Sequence, residues 1–250
     1  MNLFNIFFNK KSKFESPLEL EKIYLTYSKN DNVYGFQKKF YNQSEKLLNI
    51  FGKTKEKVFN TIKLIIITDT HNTLNEEKLI DVINEHPDYD LCVLLGDHNS
   101  EDIEKVLRNI PKNKIYALLG NHDYNYIEKF NLNNFNGKII EFEGIKMMGI
   151  QGSFKYKPSD FPSFTQEESI LFLKDKPAVD ILFSHDGPFD DNMINNPAHQ
   201  GLFGITYYLY KNNVSYNIHG HLHNPYNKKL LNGTNEISLY GINYIELGNK

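Results

Sequence analysis

At 250 residues, with 40 % hydrophobic and 24 % charged side chains, the chain has enough apolar material for one sizeable core plus an extension. A formal net charge of −3 excludes the general attraction to nucleic acid or an acidic membrane that a strongly basic chain would show. The single cysteine, Cys92, excludes an intramolecular disulfide framework and fits a reducing, cytoplasmic location. Met1 to Phe8 is apolar, but Asn2 and Asn5 interrupt it and its basic residues follow rather than precede it. Neither a secretory signal nor a transmembrane helix of roughly 18 apolar residues is expected.

Residues 1–60 are Lys-rich, with Val33, Phe36, Phe40, Leu47, Leu48, Phe51, Val58 and Phe59 at near-helical spacing. This predicts an N-terminal helical extension whose apolar face packs on the main domain, residues 61–250. Self-association or a protein partner is the alternative use of that face.

From Ile62 the pattern changes. Ile62–Thr68 is a β-branched run and predicts a buried strand. A helix is predicted over 75–85, a strand over 90–95, a helix over 101–109 and a strand over 114–119. This β-α-β-α-β order with short connections predicts parallel strands with helices on the faces. A hairpin follows over 139–150, turning at Glu143-Gly144. Next come a helix over 165–174, a strand over 179–184, a helix over 198–211 and a strand over 215–219. The tail, 228–247, alternates like a β meander with turns at Asn232-Gly233 and Gly241.

Polar residues collect immediately after the strands. The first strand ends in Asp69-Thr70-His71 and the second in Gly96-Asp97-His98. The third ends in Gly120-Asn121-His122-Asp123, the fourth in His185-Asp186-Gly187-Pro188 and the fifth in His219-Gly220-His221-Leu222-His223. In open α/β sheets ligands bind at the carboxyl ends of strands, so these groups are expected to converge on one edge. Taken singly, each group has an ordinary explanation as a cap, a turn or a structural histidine. All five in one chain, in this order, point to a metal centre. His221 and His223 occupy alternate positions, which on an extended segment would place both side chains on one side.

In that order the motifs resemble the calcineurin-like metallophosphoesterase superfamily, over roughly residues 62–247. The resemblance implies an α/β fold of the four-layer sandwich type, with two central mixed β-sheets flanked by helices. It also implies a dinuclear centre of Mn, Fe or Zn. By the same pattern Asp69, His71 and His223 hold one metal, Asn121, His185 and His221 the other, and Asp97 bridges them. The implied chemistry is in-line attack on phosphorus by a metal-bound hydroxide, with His122 as the general acid and Asp123 orienting its imidazole. Imidazole and carboxylate donors suit borderline first-row metals, and two close cations call for a shared carboxylate.

Relatives often carry a second acid and an Arg after the Gly-Asp; here Asp97 is followed by His98-Asn99-Ser100-Glu101. That departure argues against a protein phosphatase of the calcineurin type. Candidate substrate contacts are His98, Lys155 and Tyr156 in the loop Gly152–Lys157, and His199. The favoured substrate is a small phosphodiester, nucleotide-like in character. The alternatives are a phosphomonoester, a nucleic acid cut by a metal-dependent nuclease, or a catalytically silent scaffold of the same fold. His86, beside Pro87, is expected to be exposed and idle, and His219 to act behind the ligands.

Overall fold

The computed structural model describes residues 43–248, apart from 159, 191, 192, 194 and 195. Val33, Phe36 and Phe40 therefore lie outside the described residues. The first described element is helix α1, Gln43–Phe51.

The run Ile62–Thr68 forms strand β1, flanked in parallel by β2 (Leu91–Leu94) and in antiparallel by β13 (Gly241–Leu247). With β3 (Ile115–Ala117) and β4 (Asn133–Asn134) they make a five-stranded sheet in the order β13-β1-β2-β3-β4. Helices α2 (Glu76–Glu85) and α3 (Ser100–Asn109) follow β1 and β2, each opened by an asparagine side chain that accepts a backbone N–H. The short helix α4, Tyr126–Phe130, follows β3.

The second sheet has six strands in the order β11-β12-β10-β9-β6-β5. They are β5 (Ile139–Phe142), β6 (Ile145–Ile150), β9 (Ile181–Ser184), β10 (Tyr216–His219), β11 (Tyr226–Lys229) and β12 (Asn235–Ser238). A two-residue pairing, β7 (Ser153–Phe154) with β8 (Ser163–Phe164), closes a loop beside it. Helices α5 (Gln166–Leu173) and α6 (Phe203–Asn212) pack against its outer face.

The period of two along β1 separates the layers. Leu64 and Ile66 join Met147, Phe183 and Ile218 in the core between the sheets. Ile65 and Ile67 join Leu79, Ile103 and Val106 under α2 and α3. On the far side Met148 and Leu182 meet Ile170, Ile205, Tyr208 and, from α1, Leu47. The result is helices, sheet, sheet, helices: the expected four-layer α/β sandwich. From the N-terminal stretch, Phe51 packs edge-on against Tyr207 and Phe59 against Tyr216.

Three expectations need correction. The tail is not a meander within one sheet: β12 pairs with β10 in parallel, and β13 crosses to the other sheet to pair with β1. The helix expected over 198–211 is a 3-10 turn at Pro197–His199 followed by α6, because Gly201 takes a positive φ that breaks the run. His86 is not idle; its ring stacks on Tyr244 with centroids 3.5 Å apart.

Candidate metal centre

Strands β1, β2, β3, β6, β9 and β10 run so that the turns at their carboxyl ends meet on one edge. Two groups of potential ligands form there. In one, Asp69, His71 and His223 have ligand atoms within 4.8 Å of one another; in the other, Asp97, His185 and His221 do. Between them lies Asp97, whose Oδ2 is 3.6 Å from His71 Nε2 and 3.6 Å from His185 Nε2. Asn121 Oδ1 sits 2.9 Å from His185 Nε2, which adds it to the second group.

Close approach of these turns depends on glycine. A Cβ on Gly120 would lie 2.1 Å from Asp97 Oδ1, and one on Gly220 would lie 2.0 Å from Thr68 Oγ1 and 2.3 Å from Asp69 Oδ2. The Gly residues in the strand-end motifs therefore make room for the candidate ligands beside them.

Hydrogen bonds fix which atoms face inward. Asp69 Oδ2 accepts from Thr68 Oγ1 at 2.6 Å and from the His221 amide at 2.8 Å, while Oδ1 is buried with no hydrogen-bond partner, 3.4 Å from His223 Nε2. His185 Nδ1 lies 2.8 Å from the Leu95 carbonyl, and His221 Nε2 lies 2.8 Å from the Ala198 carbonyl. A carbonyl only accepts, so each of these nitrogens carries the proton and the other ring nitrogen is left to serve the site. His71 Nε2 and His223 Nε2 face each other at 3.2 Å, and among the described residues no carbonyl takes a proton from either. An orphaned carboxylate oxygen among converging imidazole nitrogens is a donor set that fits borderline first-row cations.

The electrostatics agree with that fit. Burial lowers the pKa of His71 and of His221, which keeps both rings neutral as ligands must be. Burial pushes the Asp69 carboxyl up, but His185, Thr68 and the His221 amide outweigh it and hold it below its ordinary range. For His185 burial works downward, yet Asp97, Asp69 and Asp123 together hold it above the ordinary histidine value. A proton there stands where a cation would stand.

Two expected roles do not survive the geometry. Asp123 does not orient the His122 ring: its carboxylate accepts from the backbone amides of Gly120 and Asp97 at 2.7 Å and of His98 at 2.8 Å. It ties the Gly-Asp turn to the Gly-Asn-His turn, and burial pushes its pKa up to about 7. His98 does not reach a substrate: it is buried behind the ligands against Thr70 Oγ1 at 2.8 Å, and burial lowers its pKa to about 4.

The other candidates lie at the rim. The His122 amide donates to Asp97 Oδ1 at 2.8 Å, and its exposed ring packs edge-on against His71. His122, Lys155 and Tyr156 line one cavity together with Asn121. His199 stands edge-on against His221, with centroids 5.1 Å apart. His221 and His223 are not on a strand: both adopt positive φ in the turn after β10, and each joins a different group.

One residue of the site was missed at the level of sequence. Asp102, buried on α3, accepts from Thr70 Oγ1 at 2.6 Å, the Asn72 amide at 2.8 Å and the Leu74 amide at 3.1 Å, and so shapes the turn that carries His71. Its only sequence signal is an acidic residue in the first turn of a helix after a strand-end motif, which is ordinary helix chemistry.

The sequence profile of a family described as calcineurin-like phosphoesterase matches residues 62–225. No curated protein matches the chain in sequence. Among solved structures, TT1561 of Thermus thermophilus is similar with a TM-score of 0.53 at 12 % identity, over 76 % of this chain and 99 % of that one. Phosphopantetheinyl hydrolase of Mycobacterium tuberculosis is similar with a TM-score of 0.51 at 13 % identity, over 72 % and 89 %. At such identities the likeness is one of fold.

Proposed function

The chain belongs to the calcineurin-like phosphoesterase family, and from that premise we propose that it hydrolyses phosphodiesters at a dinuclear metal centre in the cytoplasm. The observation that carries the reading is Asp97 Oδ2, equidistant from a histidine of each group. In this reading Asp69, His71 and His223 hold one cation, Asn121, His185 and His221 hold the other, and Asp97 bridges. Two cations of Mn, Fe or Zn character, when bound, supply positive charge for the phosphoryl oxygens and an activated water near neutral pH.

The chain's own residues do the rest. Asp123 holds the turns carrying Asp97 and Asn121 in register through three backbone amides. Asp102 does the same for the turn carrying His71. His122 would protonate the leaving oxygen, a role supported by its exposure at the rim and its backbone bond to Asp97. His199 steadies His221 from the side.

Turnover of bis-p-nitrophenyl phosphate and p-nitrophenyl phosphate with added Mn tests the proposal. Metal-dependent cleavage of the diester is expected, with a loss of at least about a hundredfold in Asp97→Asn, as for removal of a group that positions the reacting centre. Cleavage of the monoester alone would overturn the diester preference. No metal-dependent turnover of either would overturn the hydrolase reading for this chain in favour of a silent scaffold.

A further inference from the structure

We infer that the cleft between His122 and the loop of residues 153–163 is the leaving-group subsite, and that it takes a nucleotide. The inference rests on the hydrolase reading above, since it is His122's proposed role that makes this the leaving side of the phosphorus.

The cleft has a volume of about 440 Å³ and joins Asn121 and His122 to Tyr124, Tyr156, Phe161 and the two lysines of the loop. That is within the range of pockets that enclose a single small ligand, roughly 300–1,000 Å³. The start of the loop is anchored to the centre twice. The Gly152 amide donates to the Leu119 carbonyl, just before the Gly-Asn-His turn, and the Phe154 amide donates to Asp186 Oδ2, just after His185. Pairing of β7 with β8 then closes the loop, with the Lys155 amide donating to the Phe164 carbonyl at 2.8 Å. The cleft wall is thus built on two of the turns that carry ligands.

Its chemistry is aromatic and cationic. Tyr124 is 77 % and Tyr156 37 % exposed, although aromatic rings ordinarily gain by burial. The Tyr124 and Phe161 rings stand edge-to-face at 4.8 Å and form one wall; Phe161 also flanks His122 at 6.4 Å. Among the described residues Lys155 and Lys157 form no ion pair, and Lys157 Nζ lies 5.2 Å above the Tyr156 ring. Among the described residues Asp160 is the one carboxylate that lines the cleft with these two cations. Ring faces for a planar base, with cations for a phosphate, are the means by which single nucleotides are held without base-specific hydrogen bonds. Hydrolysis would join a water oxygen to phosphorus and break the bond to the nucleotide's oxygen. That oxygen takes the His122 proton and leaves into the cleft, while the proton lost by the attacking water restores His122.

Calorimetric titration of the full-length protein, with and without added Mn, against AMP, ribose 5-phosphate and inorganic phosphate tests this. AMP should bind at least about tenfold more tightly than ribose 5-phosphate, the contribution of one stacked base. Tyr156→Ala and Phe161→Ala should each remove about that factor, and Tyr156→Phe, which keeps the ring, should retain it. Equal affinity for AMP and ribose 5-phosphate, or unchanged AMP affinity in both alanine variants, would overturn the subsite. If the diester is still cleaved with Mn in that event, the hydrolase reading stands without it. If AMP binds as expected but no ester is turned over, the cleft still takes a nucleotide, but its assignment to a leaving group falls with the hydrolase reading.

Discussion

Asp69, His71, Asp97, His221 and His223 all adopt positive φ, between 44° and 67°. For non-glycine residues that region is uncommon, and it persists only where surrounding contacts over-determine it. Here those contacts are the side-chain and amide hydrogen bonds at Asp69 Oδ2 and the glycines that let neighbouring turns approach. Gly220→Ala should therefore displace Thr68 and Asp69 together. The expected outcome is a destabilisation of about 1–3 kcal/mol by urea unfolding and loss of Mn binding by calorimetry. His122→Ala should leave Mn affinity intact. It should slow hydrolysis of an alkyl diester about 10²–10⁴-fold and a p-nitrophenyl diester far less, because the better leaving group needs no proton. Equal losses on both substrates would remove His122 from the acid's role.

At the level of elements, buried carboxylates hold the turns that carry the candidate ligands. Asp102, on α3, receives a hydroxyl and two amides from the turn after β1. Asp102→Ala would leave the Thr70 hydroxyl and the Leu74 amide buried and unpaired, at a cost of about 2 kcal/mol or more in urea unfolding. Another buried carboxylate, Glu236 on β12, lies beside His219 at 3.3 Å, with Tyr226 and Lys228 also on it. Burial pushes its pKa up, but the His219 hydrogen bond and charge and the Lys228 charge outweigh it and hold it below the ordinary 4.5. A carboxylate depressed in the folded state contributes stability that is present above its unfolded pKa and lost as pH falls through the folded one. Unfolding free energy should thus decline from about pH 4.5 downward. Glu236→Gln should flatten that part of the profile in urea titrations; an unchanged acid limb would contradict the assignment.

For the molecule as a whole, each sheet is covered on both faces, so strands such as β1 read as continuous apolar runs rather than alternating ones. The outer layer on the second sheet includes α1, through Leu47, Leu48 and Phe51. The N-terminal stretch is thus part of the fold at least from this helix onward. Leu47→Ala should cost about 2–5 kcal/mol, the range for a buried leucine, in urea unfolding, while kcat on the diester stays near the wild-type value. A change below about 0.5 kcal/mol would mean that α1 is dispensable.

The sequence by itself determined the strands that carry the centre and the residue types at their ends. β-branched runs and strand-end Asp, His and Asn are local signals, and a parallel sheet brings strand ends together whatever their separation along the chain. What it left undecided were properties of neighbours distant in sequence. The tail's alternation looks the same whether β13 stays beside β12 or crosses to β1, and only the docking of the two sheets chose the latter. Burial moved His98 from the substrate to the support of the turn, and three backbone amides claimed Asp123 before any imidazole could. Left-handed turns, not an extended segment, carry His221 and His223 to the two different groups. Residue chemistry is written locally, but which oxygen is left without a partner to face a cation depends on donors that only the folded chain brings near.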